Sequence, residues 1–198
     1  MQHPVKSMKV YLTDQSKYFP QHLEFFKRQP VMLYSKSKMK EKTTVISIAG
    51  TTGAQNLNTQ FFFDYKIFPG NIMSYWTQWN AEGRQMQIGD TIVQQVFIPP
   101  FRHLSQKIIL AVRINEIIRE PTKIGFSYET LEGHVEKGIS IFSIEETKEQ
   151  RTIFKVHTFS KPGNLISKLV APIFSIPYQA FCTRQGLRNV KRQLESSI

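Results

Sequence analysis

A single cysteine, Cys182, is present in this 198-residue chain, so no disulfide can form within it and a reducing, cytoplasmic setting is expected. Long apolar runs are also missing. The greasiest stretch, residues 169–181, is interrupted by Pro172, Ser175, Pro177 and Gln179, short of the roughly 20 apolar residues that a membrane-spanning helix needs. The opening residues MQHPVKSMKV hold no continuous apolar segment, and no secretory leader is expected. His3, His22, His103, His134 and His157 share no HxH or HxxxH spacing, and one cysteine cannot build a thiolate site, so neither a metal nor a cofactor is expected. Glycine-rich phosphate loops are absent, and no Ser or Cys stands in a recognisable nucleophile motif. Acidic residues are scarce: 15 Asp and Glu stand against 26 Lys and Arg, a formal net charge of +11. Such an excess attracts polyanions and anionic surfaces.

What is present is aromatic and strand-like. Apolar residues make up 40% of the chain and aromatics 12%, with 15 phenylalanines, which excludes a disordered polymer. The length suits one domain, expected over residues 43–198, preceded by an extension over 1–42 with a short helix at 21–28 that Pro30 ends. Alternating or β-branched runs predict seven strands, at 43–49, 59–68, 91–98, 107–118, 123–131, 138–145 and 151–160. Between the second and third, Asn71 is positioned to cap a short helix through Trp79, because Ile72, Tyr75, Trp76 and Trp79 fall near helical spacing. Short connections argue for antiparallel pairing. After Pro162-Gly163, Asn164 can cap a long helix whose stripe runs through Ile166, Leu169, Val170, Ile173, Phe174, Tyr178 and Phe181. Beyond Gly186 the apolar positions move round to Leu187, Val190 and Leu194. A kink near Pro177 or a re-aimed end near Gly186 is therefore expected, and Pro172 and Pro177 also leave open two shorter helices instead of one.

The most distinctive stretch is GFSYETLEGHVEKG, residues 125–138. Phe126, Tyr128, Thr130, Leu131, Gly133, His134, Glu136 and Gly138, with Phe142 beyond, resemble the Phe-x-Tyr-x-Thr-Leu-x-Gly-His-x-Glu-x-Gly turn of an uncharacterised family. That family is a domain of unknown function found in bacteria and plants. Phe159-Ser160-Lys161-Pro162 is similar to its strand-ending Phe-Ser-x-Pro, and Pro172 and Gln179 stand where its helix has Pro and Gln. The chain departs just after Gly138, where the family usually has acidic residues and this sequence has Ile139-Ser140. The resemblance implies membership of the START-like, birch-pollen-allergen-like helix-grip (SRPBCC) superfamily. The implied fold is α+β: a curved antiparallel sheet of about seven strands around a long C-terminal helix. Superfamily relatives often enclose an apolar cavity between sheet and helix, and the same is implied here.

Three functions follow as expectations. The first is binding of a small apolar, lipid-like ligand. Tyr128, Thr130, His134 and Glu136 would supply polar contacts, and Trp76, Phe174 and Tyr178 apolar walls. A second is nucleic-acid or anionic-surface binding through Lys36, Lys38, Lys40 and Lys42 or through Arg184, Arg188, Lys191 and Arg192. Neither cluster is interleaved with aromatics along the sequence, as a single-strand platform requires. The third is an enzyme using Tyr128, His134 and Glu136 at a pocket mouth. Each residue also has a plainer use: glycines 133 and 138 can shape a hairpin whose His134 satisfies a local hydrogen bond.

Overall fold

All described strands enter one antiparallel sheet. The computed structural model describes residues 9–49, 53, 57–100, 104–162 and 176–196. In chain order these form β1 (Lys9–Tyr11), α1 (Phe19–Lys27), β2 (Lys40–Ser47) and the one-turn helix α2 (Gln60–Phe63). Next come β3 (Met73–Thr77), the one-turn helix α3 (Gln78–Ala81) and β4 (Thr91–Ile98). The long strands β5 (Gln106–Glu120), β6 (Lys123–Thr130), β7 (Glu136–Glu146) and β8 (Thr152–Pro162) follow, and helix α4 (Ile176–Glu195) comes last. Strand order across the curved sheet is β2-β8-β7-β6-β5-β4-β3, with β1 paired to residues 107–109 of β5, beyond the reach of β6. Hairpins therefore link β4 through β8 in sequence, and β2 crosses to the far edge.

Register places the aromatic residues. Residues directly opposite on antiparallel strands share a face, so Phe126, Phe142, Val156 and Thr44 form one row, and Tyr128, Ser140, Thr158 and Lys42 the next. The inner face carries the main core. There Phe126, Phe142, Phe154, Ile92, Val112 and Ile114 meet Phe62, Tyr65 and Ile67 from the α2 region and Leu187, Val190 and Leu194 from α4. On the outer face, Phe19 and Leu23 of α1 cover Val93 and Ile109. Strand β4 is thus buried on both sides, which is why TIVQQVFI reads as nearly continuous rather than alternating. Its adjacent glutamines point to opposite faces, and each finds partners. Gln94 donates to the Tyr65 hydroxyl at 2.6 Å, while Gln95 accepts from the Gln15 amide at 2.6 Å and donates to Ser74 at 2.8 Å.

Residues before β2 are knitted to the sheet. Arg113 of β5 donates to the carbonyls of Phe26, Lys27 and Gln29 at 3.1, 2.9 and 3.0 Å, satisfying the exposed end of α1. Val31 bridges Leu131, and the Met32 amide donates to the Thr130 carbonyl.

Two expected elements exchange roles. Residues 59–68, expected as a strand, form α2 and a turn in which Tyr65 has φ 64°. Aromatic residues favour strands by up to ~1 kcal/mol, whereas fully burying one side chain is worth roughly 1.5–3 kcal/mol. Phe62 and Tyr65 are both completely buried, so tertiary packing overrides the local preference. The helix expected from Asn71 is instead β3 followed by α3, and the α3 cap is Thr77, which accepts from the Asn80 amide. Spacing of 72, 75, 76 and 79 mimics a helix because a strand and a short helix adjoin. The sheet gains β1 and β3 and loses 59–68, giving eight strands where seven were expected. Asn164 and the stripe from Ile166 to Phe174 lie outside the described residues. Helix α4 continues without interruption through Gly186. Gly186 instead faces the Phe68 ring: a Cβ there would lie 3.1 Å from it, so the glycine lets helix and aromatic layer approach.

Close approach also explains Gly138. A Cβ at this position would stand 1.9 Å from the Phe159 carbonyl oxygen on β8. Gly138→Ala is expected to destabilise the protein by about 2 kcal/mol or more, read as a lower urea midpoint at unchanged slope. Wild-type stability in that variant would remove this account of the glycine.

Candidate functional site

The β6–β7 turn is built around Thr130. Its Oγ1 accepts from the Gly138 amide at 3.0 Å, and Gly133 turns the chain at φ 89°. Leu131 between them is fully buried and anchors the turn in the core. His134 accepts from the Glu136 amide through Nδ1 at 3.0 Å. Burial pushes its imidazole down to about 4, so the ring is neutral at physiological pH and occupied within the turn. Glu136 reaches outward, and its carboxyl accepts from Gln179 Nε2 on α4. Burial raises the Glu136 carboxyl above the usual carboxylate range, opposed by Gln179 and by Lys42.

One residue earlier on the helix, Tyr178 donates to the carbonyl of Phe97 at the end of β4. The first described turn of α4 therefore ties the β6–β7 turn to the far end of β4. Tyr178 also meets Cys182, whose thiol burial pushes up to about 11.

Between these ties lies a file of polar groups set in aromatic rings. Tyr128 faces Ser140 across the ladder, and the Tyr65 ring stands 6.2 Å from that of Tyr128. Gln94 closes the file on Tyr65. Around it stand Phe126 and Phe142, stacked at 5.5 Å, and Phe62 at 5.1 Å from Phe126. Burial raises both phenols, with Ser140 and Tyr65 opposing the shift at Tyr128. The phenols and the imidazole are thus neutral at pH 7, and the carboxyl is shifted toward its neutral form. Such a group donates and accepts hydrogen bonds readily, whereas it is poorly suited to carry a full charge.

The structure brings together Tyr128, Thr130, His134, Glu136 and Tyr178 around the β6–β7 turn and the start of α4. Trp76 is elsewhere: it pairs with Val93 on the edge strand β3, on the face opposite Tyr75 and Gln94, and is 39% exposed. Phe174 lies outside the described residues. Tyr65, Gln94, Ser140 and Gln179 belong to the group without having been singled out as site residues. Two adjacent glutamines in an otherwise apolar strand were an available signal, because both must be satisfied if both faces are covered. No group of three candidate metal ligands occurs among the described residues, and no described helix is long and apolar enough to cross a membrane.

Residues 53–189 match a family described as a domain of unknown function, DUF1990. Among solved structures, a hypothetical protein from Helicobacter pylori superposes with a TM-score of 0.50 at 9% identity, over 80% of this chain and 86% of that one. An uncharacterised protein from Rhizobium leguminosarum gives 0.43 at 16% identity, over 80% and 97%. At 9% identity the likeness to the first concerns the fold alone. No curated protein matches.

The lowered imidazole makes a pH prediction. A histidine depressed on folding contributes stability that is complete above its ordinary value of 6.5 and is lost as pH falls toward about 4. In a ¹H–¹³C titration the His134 ring should shift with a midpoint well below pH 5.5, and His134→Gln should flatten the stability loss across this window. A midpoint near 6.5 would show a solvated ring instead.

Proposed function

The chain belongs to the DUF1990 family, and we propose that it binds a small, largely apolar ligand between the inner sheet face and α4. One observation carries the reading: a hydrogen-bonding file, Gln94–Tyr65–Tyr128–Ser140, runs through an aromatic wall. Its outer members, Tyr128 and Ser140, are only half-buried, as are Phe181 and Cys182 on the facing helix. An apolar surface with a few convergent polar groups is the usual make-up of a small-molecule site. Resemblance to the START-like helix-grip (SRPBCC) superfamily supports the same reading, since relatives there often hold apolar ligands between sheet and helix.

In this reading each residue has a role. Tyr128 and Ser140 hydrogen-bond the polar end of the ligand, and Glu136, shifted toward its neutral form by burial, adds a further contact. Thr130 and His134 are positioning residues that fix the turn carrying Glu136. Phe126, Phe142, Phe181 and Tyr178 form walls. Trp76, on the outer face of β3, takes no part in the site. A reducing cytoplasm suits the lone Cys182 thiol.

Protein purified without detergent and examined by native mass spectrometry should carry a bound apolar molecule recoverable by solvent extraction. The neutral probe N-phenyl-1-naphthylamine should bind saturably, and Tyr128→Phe with Ser140→Ala should weaken it roughly tenfold at unchanged melting temperature. Empty protein that also fails to take up the probe would refute the proposal.

A further inference from the structure

Away from the inner face, α4 turns a cationic side to solvent. Leu187, Val190 and Leu194 point into the core, while Arg184, Arg188 and Arg192 recur every fourth residue on the exposed side, about 6 Å apart along the axis. A helix macrodipole favours cations only within its last turn. Arg192 alone of the three lies there, so the dipole does not account for Arg184 and Arg188.

The carboxylates nearby are already engaged. Glu195, the one acid on α4, accepts from the Ala49 amide at 2.8 Å and pairs with Lys191 at 3.3 Å. Asp64 pairs with Lys66 at 3.3 Å. Arg188 and Arg192 have no acidic partner among the described residues. Arg192 is nonetheless held in place, because its guanidinium donates to Asn189 Oδ1 at 2.8 Å. Asn189 in turn donates to the carbonyls of Lys66 and Ile67 at 3.2 and 3.0 Å, and Gln193 donates to Lys66 at 2.9 Å. These amides also lock α4 to the 66–67 backbone.

Two open clefts meet at Arg192. One, of about 420 Å³, is walled by Arg188, Lys191, Arg192, Ser196 and Glu195, the last held by Lys191 and the Ala49 amide. The other, of about 490 Å³, has Phe68, Met73 and Tyr75 on its floor and Lys66 with Arg192 at its rim. The basic helix and these rings are more than a hundred residues apart in sequence, and only folding sets them side by side.

We propose that these joined clefts bind a phosphate monoester carried on a small aromatic or otherwise apolar body. Phosphate takes the guanidinium forks of Arg188 and Arg192, neither of which has an acidic partner among the described residues, and which match its oxygens in geometry and charge. The body lies on Phe68, Met73 and Tyr75. Lys66 closes the rim. Its floor adjoins the inner-face file where Tyr75 stands 5.2 Å from Tyr65. The arginine forks that take the phosphate lie on the solvent side of α4 and do not depend on that file.

The test titrates the full chain with phenyl phosphate by ¹H–¹⁵N NMR. Saturable shifts are expected at Gly70, Asn189 and Gln193. Inorganic phosphate and benzyl alcohol, each holding half of the chemistry, should bind at least tenfold more weakly. Arg192→Gln should lower the affinity roughly tenfold, Arg192→Lys should restore part of it, and Lys148→Gln, at the distant β7–β8 hairpin tip, should leave it unchanged. Dihexanoyl phosphatidic acid is the parallel arm. Tighter binding than phenyl phosphate identifies a lipid headgroup as the source, and weaker binding a soluble metabolite; both outcomes support the site. Absence of saturable shifts with either probe, or equal losses in the Arg192→Gln and Lys148→Gln proteins, overturns it.

Discussion

The seating of α4 on the aromatic layer over the sheet is the contact on which the rest depends. Leu187, Val190 and Leu194 bury against that layer, and the absent side chain of Gly186 brings the helix onto Phe68. From this single docking follow the tie of Gln179 to Glu136, the tie of Tyr178 to Phe97 and the exposure of the arginine side. Were the helix displaced, the inner face would open to water, and every shift caused by burial at Tyr65, Tyr128 and His134 would relax toward its solvent value.

Burial and hydrogen bonding act together at the inner face. Packing alone would favour apolar residues where Gln94, Tyr65, Tyr128 and Ser140 stand. Each polar group is tolerated because another satisfies it. Tyr65 adds a positive φ to this arrangement, a conformation that costs of order 1–3 kcal/mol for such a residue and persists only where surroundings enforce it. The enforcement is visible: Tyr65 is fully buried between Tyr75 at 5.2 Å and Phe126 at 6.3 Å, with its hydroxyl held by Gln94.

The long strands were legible in the sequence because their signal is local. β4 matches its expected span, and β5 through β8 differ only at their ends, since period-two patterning and the polar tips between runs are properties of neighbouring residues. The glycines of the 125–138 stretch marked a constrained turn for the same reason, and His134 serves that turn through a local hydrogen bond. Residues 59–81 were misread. Their aromatic richness is shared by strands and by segments that pack over a sheet, and no local feature distinguishes the two. Trp76 and Tyr75 illustrate the cost: adjacent in sequence, they face opposite sides of β3 once it is recognised as a strand.

Sequence by itself determined the antiparallel β-meander, the closing amphipathic helix, the constrained turn and the excess of positive charge, because each is written in periodicity, glycine placement or composition. Tertiary structure alone decided which polar groups meet. Gln94 and Tyr65 are 29 residues apart, Glu136 and Gln179 are 43 apart, and Arg192 shares a cleft with Phe68 and Tyr75. Their proximity depends on how far two surfaces interpenetrate when they pack, a quantity fixed by side-chain volumes from the whole fold and carried by no single stretch of chain.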